Sequence, residues 1–271
     1  PTVVLIGASN SLAKCGGIVS INVLLGGFAG KIYPVNPKEK TVHGLTAYPS
    51  VRDIPDPIDL AVIIVPAGGV PEVISDCVAK GIPAAIVITS GFAELGDRGR
   101  VLQNEMLKRA RAGGMVLVGP NGQGIAAPDA KFYPWFPTFR PDPGVIGIAS
   151  QSGGISTELS EQLAEFGFGC SKVISTGNCA DLSWPDYLAY LREDPATRVV
   201  LLYMEGAGEG REFFREARQT ALKKPVIIIK SGRTREGGRA ASSHTGSLAG
   251  SDDVFDGACR QAGLIRARTL E

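Results

Sequence analysis

Short apolar runs recur along the chain, each followed by a small-residue loop and then an amphipathic stretch. Leu60-Ala61-Val62-Ile63-Ile64-Val65 and Val226-Ile227-Ile228-Ile229 are continuous and strand-length. Continuous Val/Ile runs, as opposed to alternating ones, belong to parallel strands covered on both faces. In the first half the pattern predicts strands over 3–7, 31–34, 60–65, 84–88 and 115–118, with helices over 17–25, 70–80 and 100–112. The second half repeats it, with strands over 145–149, 172–174, 199–204, 226–230 and 264–267 and helices over 155–166, 185–193, 209–222 and 251–262. This alternation predicts an α/β fold: a Rossmann-like doubly wound domain over 1–127, then a flavodoxin-like domain over 144–271. The two opening turns echo each other, Leu5-Ile6-Gly7-Ala8-Ser9 and Ile148-Ala149-Ser150-Gln151-Ser152-Gly153.

Residues 128–143 break the alternation. Pro128, Pro134, Pro137, Pro141 and Pro143 crowd this stretch together with Phe132, Tyr133, Trp135, Phe136 and Phe139. Proline at that density excludes regular structure. The stretch reads as an inter-domain connector with aromatic anchors or, alternatively, as one wall of a substrate pocket.

Composition narrows the function classes. The 271 residues carry 28 Lys+Arg against 27 Asp+Glu, a net charge of +1. That balance argues against a nucleic-acid stripe or a polybasic membrane patch. The apolar runs fall far short of the roughly 20 residues of a membrane span. No signal-peptide pattern opens the chain, and a start at Pro1 already in strand predicts that upstream residues were removed. Cys15, Cys77, Cys170, Cys179 and Cys259 are scattered and form no CxxC pair. This usage predicts a reducing, cytoplasmic setting and neither a disulfide framework nor a metal site.

The candidate chemistry sits in two loops. Gly7 directly follows the first strand, where glycine allows a tight turn and close approach of a phosphate. A dinucleotide-binding domain usually offers an acid at the tip of its second strand. Here that tip reads Val35-Asn36-Pro37-Lys38, and Lys38 suits a ribose phosphate, as carried by NADP or coenzyme A. Of the two histidines, His43 reads as an exposed loop residue. His244 lies in Ser242-Ser243-His244-Thr245-Gly246-Ser247, where small residues admit a bulky anion. That loop suits a phosphate or a phosphohistidine; a hydrogen-bonded loop histidine is the plain alternative. Ser152-Gly153 opens a helix whose N-terminal amides favour an anion. Glu205 ends a strand, where a carboxylate is placed to hold one ring nitrogen of His244.

Taken in order, Tyr33-Pro34-Val35-Asn36-Pro37-Lys38, Gly91-Phe92-Ala93-Glu94, Gly119-Pro120-Asn121-Gly122, Ser150-Gln151-Ser152-Gly153, Thr176-Gly177-Asn178 and the serine–histidine–glycine block over 242–250 resemble the alpha portion of the NDP-forming acyl-CoA synthetases, a family that includes ADP-forming acetate–CoA ligase and, more distantly, the alpha subunit of succinyl-CoA synthetase. The resemblance spans essentially the whole chain. It implies a CoA site lined by Gly7, Ser9, Asn10, Val35, Pro37, Lys38, Val65, Pro66, Ala67, Thr89, Ser90 and Gly91. It implies that His244 is phosphorylated, that Gln151, Ser152, Gly153, Thr245 and Gly246 hold the phosphate, that Glu205 orients the ring and that Asn121 lies near the reacting acyl group.

The implied reaction is ATP + acid + CoA giving acyl-CoA + ADP + phosphate. Nucleotide and Mg2+ would require an ATP-grasp domain or beta subunit, for which these residues leave no room, and an oligomer is expected. Two positions depart from the family pattern: Gly122, where Cys or Ser is frequent, and Cys179, where a charged residue is frequent. Both fall where the acid substrate is implied to sit, and the aromatic stretch over 132–139 leaves room for an aryl or larger acid. Cys179 itself reads as a packed thiol. Two other classes stay open: a non-catalytic CoA-sensing region of a protein acetyltransferase, and an NADP-dependent oxidoreductase.

Overall fold

The computed structural model describes residues 1–232 and 252–270. The chain begins with β1 (Thr2–Ile6), α1 (Cys15–Leu25), β2 (Lys31–Val35), β3 (Thr41–Val42), β4 (Leu45–Thr46), β5 (Leu60–Ile63), α2 (Val70–Ala79), β6 (Ala84–Val87), α3 (Asp97–Ala112), β7 (Val116–Val118) and β8 (Ile125–Ala126). It continues with β9 (Pro143–Ser150), α4 (Gly153–Glu165), β10 (Cys170–Ser175), α5 (Trp184–Glu193), β11 (Val199–Met204), α6 (Gly210–Ala221), β12 (Val226–Lys230), α7 (Asp252–Ala262) and β13 (Ile265–Arg266). No helix among the described residues is long and apolar enough to cross a membrane.

Two sheets carry the molecule. The first has five parallel strands in the order β2-β1-β5-β6-β7. The second runs β13-β12-β11-β9-β10-β8, parallel except for β8. The first thus has the doubly wound order 2-1-3-4-5, counted along its own strands, and the second is likewise wound outward in both directions from β9. The echo between the opening turns is therefore matched by a shared style of winding. Each sheet buries its strands from both faces: Val4, Ile6, Ala61 and Ile63 face one core of the first sheet, and Val3, Leu5 and Val62 the other.

The helices form where apolar residues recur at helical spacing. In α5, Trp184, Tyr187, Leu188 and Leu191 are buried at i, i+3, i+4 and i+7. Leu188 and Leu191 each contribute about 1.5–3 kcal/mol on burial. The helix starts at a fixed point because the Asp186 carboxylate accepts the Ser183 N–H at 2.8 Å, with Pro185 in the first turn. β10 is longer than its apolar run predicts. Ser171 interrupts that run, but its buried hydroxyl is satisfied by Thr197 at 2.7 Å.

β8 pairs antiparallel with β10, so the chain joins the second sheet before residue 128. The proline-rich stretch then packs as core. Trp135 is fully buried and Phe132 and Tyr133 nearly so. Asn22 of α1 donates to the carbonyls of Trp135 and Pro137 at 2.9 and 2.8 Å, which replaces the backbone partners that proline cannot supply. Of the aromatics proposed as a pocket wall, Phe136 reaches a cleft; Phe132, Tyr133 and Trp135 are anchors.

Candidate active site

In an open α/β sheet the ligand crevice lies beyond the carboxyl ends of the strands, where strand order reverses. In the first sheet that point is the tip of β1 and β5. A cavity of about 390 Å³ opens there, lined by Gly7, Val35, Pro37, Lys38, Val51, Val65, Pro66 and Val73. Valine and proline make flat apolar walls and Lys38 puts a cation at the rim, a donor set that fits a heteroaromatic ring bearing a nearby phosphate. Gly7 has φ +94°, and a Cβ there would lie 2.4 Å from the Ile64 carbonyl oxygen, so this turn requires glycine.

A second cavity, about 660 Å³, shares Val65 and Pro66 with the first and runs past Ala67, Thr89 and Ser90 to Asn121, Gln151, Ser152 and Gly153. A third, about 360 Å³, shares Asn121 and Gln151 with the second and reaches Cys179, Trp184 and Glu205. The three adjoin in series through these shared lining residues, from Lys38 on the first sheet to Glu205 on the second. Of the residues expected to line a CoA site, Ser9, Asn10 and Gly91 line none of the three cavities. Ser9 and Asn10 instead brace the β1 loop: both donate to the Glu39 carboxylate, and Asn10 also donates to the Thr41 carbonyl at 2.8 Å. The tip of β2 thus has an acid after all, one residue beyond Lys38 and turned back onto the loop.

His43 and Gly44 form the two-residue turn between β3 and β4, both at positive φ. The His43 side chain is half-buried and not exposed as expected. Its backbone N–H donates to Asn10 at 2.8 Å.

At the second sheet α4 points its N-terminus into the cleft. Its first turn has no acidic residue, and the Ser152 hydroxyl accepts the Ile155 N–H at 3.4 Å. Such an end carries a partial positive charge from unpaired N–H groups and favours a bound anion. The Gln151 Oε1 accepts the N–H groups of Glu205 and Gly206 at 2.6 and 3.0 Å, fastening the β9 loop to the end of β11. That leaves the Gln151 amide nitrogen for a ligand. Glu205 is 9% exposed. Met204 pairs with Lys230 across β11 and β12, so the chain enters the segment containing His244 beside Glu205. His244, Thr245 and Gly246 lie outside the described residues.

A polar chain that sequence reasoning passed over crosses from one sheet to the other. Glu94 Oε1 accepts the N–H groups of Gly91 and Phe92 at 2.6 and 3.0 Å. Glu94 Oε2 accepts from Asn178 Nδ2 at 2.6 Å, and Gln103 Oε1 accepts from the same nitrogen at 3.0 Å. Asn178 Oδ1 in turn accepts from Asn121 Nδ2 at 3.1 Å. Burial works to raise the Glu94 carboxyl, but the hydrogen bonds from Asn178, Gly91 and Phe92 outweigh it and hold the group below its ordinary value. The only sequence signal was the recurrence of Glu94 and Asn178 within the quoted motifs.

The two departures from the family pattern have physical accounts. A Cβ on Gly122 would lie 2.6 Å from the Ser175 carbonyl oxygen, so this backbone has no space for Cys or Ser. Burial pushes the Cys179 thiol up to about 12, which keeps it protonated at neutral pH where it lines the third cavity.

Comparison with known proteins agrees with this fold. A CoA-binding domain model matches residues 1–128, and the model of the succinyl-CoA ligase-like flavodoxin domain matches residues 143–271. The chain is 42% identical to the alpha subunit of ADP-forming acetate–CoA ligase I from Pyrococcus furiosus, over 99% of this chain and 59% of that protein. The chain belongs to the NDP-forming acyl-CoA synthetase family. It corresponds to the alpha, CoA-binding portion. The 4-hydroxybutyrate–CoA ligase (ADP-forming) of Nitrosopumilus maritimus is 39% identical, over 100% of this chain and 39% of the relative. The structure of the dinucleotide forming acetyl-coenzyme A synthetase 1 of Candidatus Korarchaeum cryptofilum, in complex with phosphate and ADP, superposes with a TM-score of 0.93 at 40% identity. It covers 99% of this chain and 58% of that one. The chain thus spans about three fifths or less of these relatives.

Proposed function

We propose that this chain is the CoA- and phosphate-handling part of an acid–CoA ligase that forms NDP. The observation that carries the reading is the series of adjoining cavities from Lys38 to Glu205. A long ligand with a phosphorylated nucleoside at one end and a thiol at the other fits such a series. Lys38 would take the ribose phosphate, the Val65-Pro66-Ala67 and Thr89-Ser90 turns the intervening arm, and Asn121 would meet the reactive end.

The chemistry follows from what a carboxylate lacks. It is a poor electrophile, and activation through a covalent phosphoenzyme divides the barrier. The γ-phosphoryl group of ATP passes to a ring nitrogen of His244, releasing ADP. From there it passes to the acid, giving an acyl phosphate. Thiol sulfur then bonds to the acyl carbon, the bond from that carbon to the phosphate oxygen breaks, and the thiol proton leaves with phosphate. Gln151, Ser152, Gly153, Thr245 and Gly246 would hold the phosphoryl oxygens. Phosphoryl transfer depends on positioning and charge neutralisation, which the α4 N-terminus supplies without a fixed cation. Glu205 would orient the ring. Nucleotide and Mg2+ would be held by an ATP-grasp domain or beta subunit, in keeping with the greater length of the relatives. The reaction belongs to the cytoplasm, where CoA and reduced thiols are available.

The test is acyl-CoA formation by the protein together with its ATP-grasp partner, across aliphatic and aryl acids. Acid-dependent release of ADP and phosphate in step with acyl-CoA is expected. CoA binding without acyl-CoA from any acid would assign the chain to CoA sensing instead.

A further inference from the structure

Asn121 is the residue shared by the two cavities that meet between the sheets, together with Gln151. Its backbone is held in place: its N–H donates to the Thr89 carbonyl at 2.9 Å, and φ is +62°. An amide side chain has two unlike ends, a carbonyl that accepts and an NH2 that donates. Which end faces a ligand decides what that ligand must offer. Nothing in Asn121 itself sets the choice.

The choice is set from a distance. A backbone N–H cannot reverse, so Gly91 and Phe92 oblige one Glu94 oxygen to accept, and an ionised carboxylate accepts at the other as well. Gln103 Oε1 is turned the same way by the Ala93 N–H at 3.4 Å. Asn178 therefore meets two acceptors, at 2.6 and 3.0 Å, and both its N–H groups are engaged. Its carbonyl turns to Asn121, at 3.1 Å from Nδ2. The Asn178 backbone has no freedom to evade this, because its own N–H donates to the Pro120 carbonyl at 2.9 Å. With Nδ2 of Asn121 drawn to Asn178, Oδ1 takes the side away from it.

We infer that Glu94 is a positioning residue for acyl transfer: through Asn178 it fixes the polarity of the Asn121 amide, so that an acceptor oxygen is presented at the junction where the thiol and acyl group meet. An acceptor there matches a thiol, whose S–H is a donor, and disfavours the wrong approach of a second oxyanion. The inference rests on the proposed acyl-CoA synthetase reading.

Glu94→Gln tests it with almost no change of shape. The oxygen of the substituted side chain would stay on the Gly91 and Phe92 N–H groups, and its new NH2 would face Asn178. Asn178 then turns its oxygen to that NH2 and its own NH2 to Asn121, Gln103 gives up its long 3.4 Å bond from the Ala93 N–H and turns its NH2 to Asn178, and Asn121 reverses. Adding Asn178→Asp restores an acceptor-only link, to which both the introduced amide and Asn121 donate. The assay uses the full protein with its ATP-grasp partner and measures CoA affinity, phosphoenzyme formation and kcat for acyl-CoA. Glu94→Gln should lower kcat by about 10- to 100-fold, the scale of a misplaced reacting group. CoA affinity and phosphoenzyme formation should stay within about twofold, and the double variant should recover most of the loss. A kcat for Glu94→Gln near wild type, or a folded double variant no better than the single, would overturn the inference. So would loss of CoA binding in both variants, which would make Glu94 a structural residue. A wild-type protein that neither binds CoA nor makes acyl-CoA fails separately, at the underlying reading, and takes this inference with it.

Discussion

The two sheets are wound alike and differ in what their strand ends carry. At the first sheet the crevice is walled by Val35, Pro37, Val51, Val65 and Val73, with one cation, Lys38. At the second, the ends of β9 and β11 offer Gln151, Ser152 and Glu205 and the open N-terminus of α4. An apolar slot with one cation at its rim, and the Asp76 carboxylate on its wall already paired with Arg52, suits a ring and a phosphate but offers little to a developing charge. A cluster of amides, hydroxyls and a carboxylate holds little by packing but answers charge as it moves. On the proposed reading, one architecture would serve binding in one half and phosphoryl chemistry in the other, the difference lying in a few loop residues.

The sharpest way to break the comparison is at Glu205. Glu205→Gln should lower acyl-CoA turnover by about 100-fold or more, in the range of a lost acid–base or orienting group, while CoA affinity stays unchanged. An equal loss in CoA affinity, read by calorimetry, would mean the halves do not divide the work. The reciprocal test is Lys38→Gln. CoA should bind about tenfold more weakly, roughly the 1.4 kcal/mol of one charge-assisted contact, and dephospho-CoA should bind as before. A similar loss for both ligands would remove Lys38 from the phosphate.

The link between the halves is predicted to be pH-dependent. Glu94 is held below its ordinary value of 4.5 in the folded protein. Its stabilising contribution is therefore complete above that value and fades as the pH falls below it. The difference in Tm between wild type and Glu94→Gln should be present at pH 7 and shrink as the pH is lowered below 4.5; a constant difference would deny the charge a role. The smallest effect concerns thiols. Cys15 is exposed and lines the middle cavity, whereas the Cys179 thiol is raised to about 12 by burial. Iodoacetamide should label Cys15 first in the folded protein, and CoA should slow it.

The parallel strands of both sheets were legible because strands covered on both faces leave continuous apolar runs, as in β5 and β12. The β3–β4 hairpin was not, since two-residue strands carry no period and the cue is the His43-Gly44 turn alone. β8 was missed for the same reason, and its partner in β10 lies far along the chain. In the proline-rich stretch the residues announce irregular backbone correctly. Their burial depends on Asn22, more than a hundred residues earlier, which no local pattern reveals. Of the cavity-lining residues, Lys38 was visible at the tip of the second strand, and Pro66 and Ser90 through the family resemblance. Glu39 and Glu94 were not, because each acts on a neighbour brought close only by folding: Glu39 on the β1 loop, Glu94 on Asn178.

The central claim is that the amide-rich end of the second sheet handles a phosphoryl group carried by His244. It is tested most directly by incubating the protein and its ATP-grasp partner with γ-labelled ATP and Mg2+, beside His244→Ala. The account predicts an acid-labile, base-stable label on this chain that disappears in the variant and is discharged by acid substrate plus CoA. A chain that binds CoA yet takes no label, or keeps its label without His244, would contradict it.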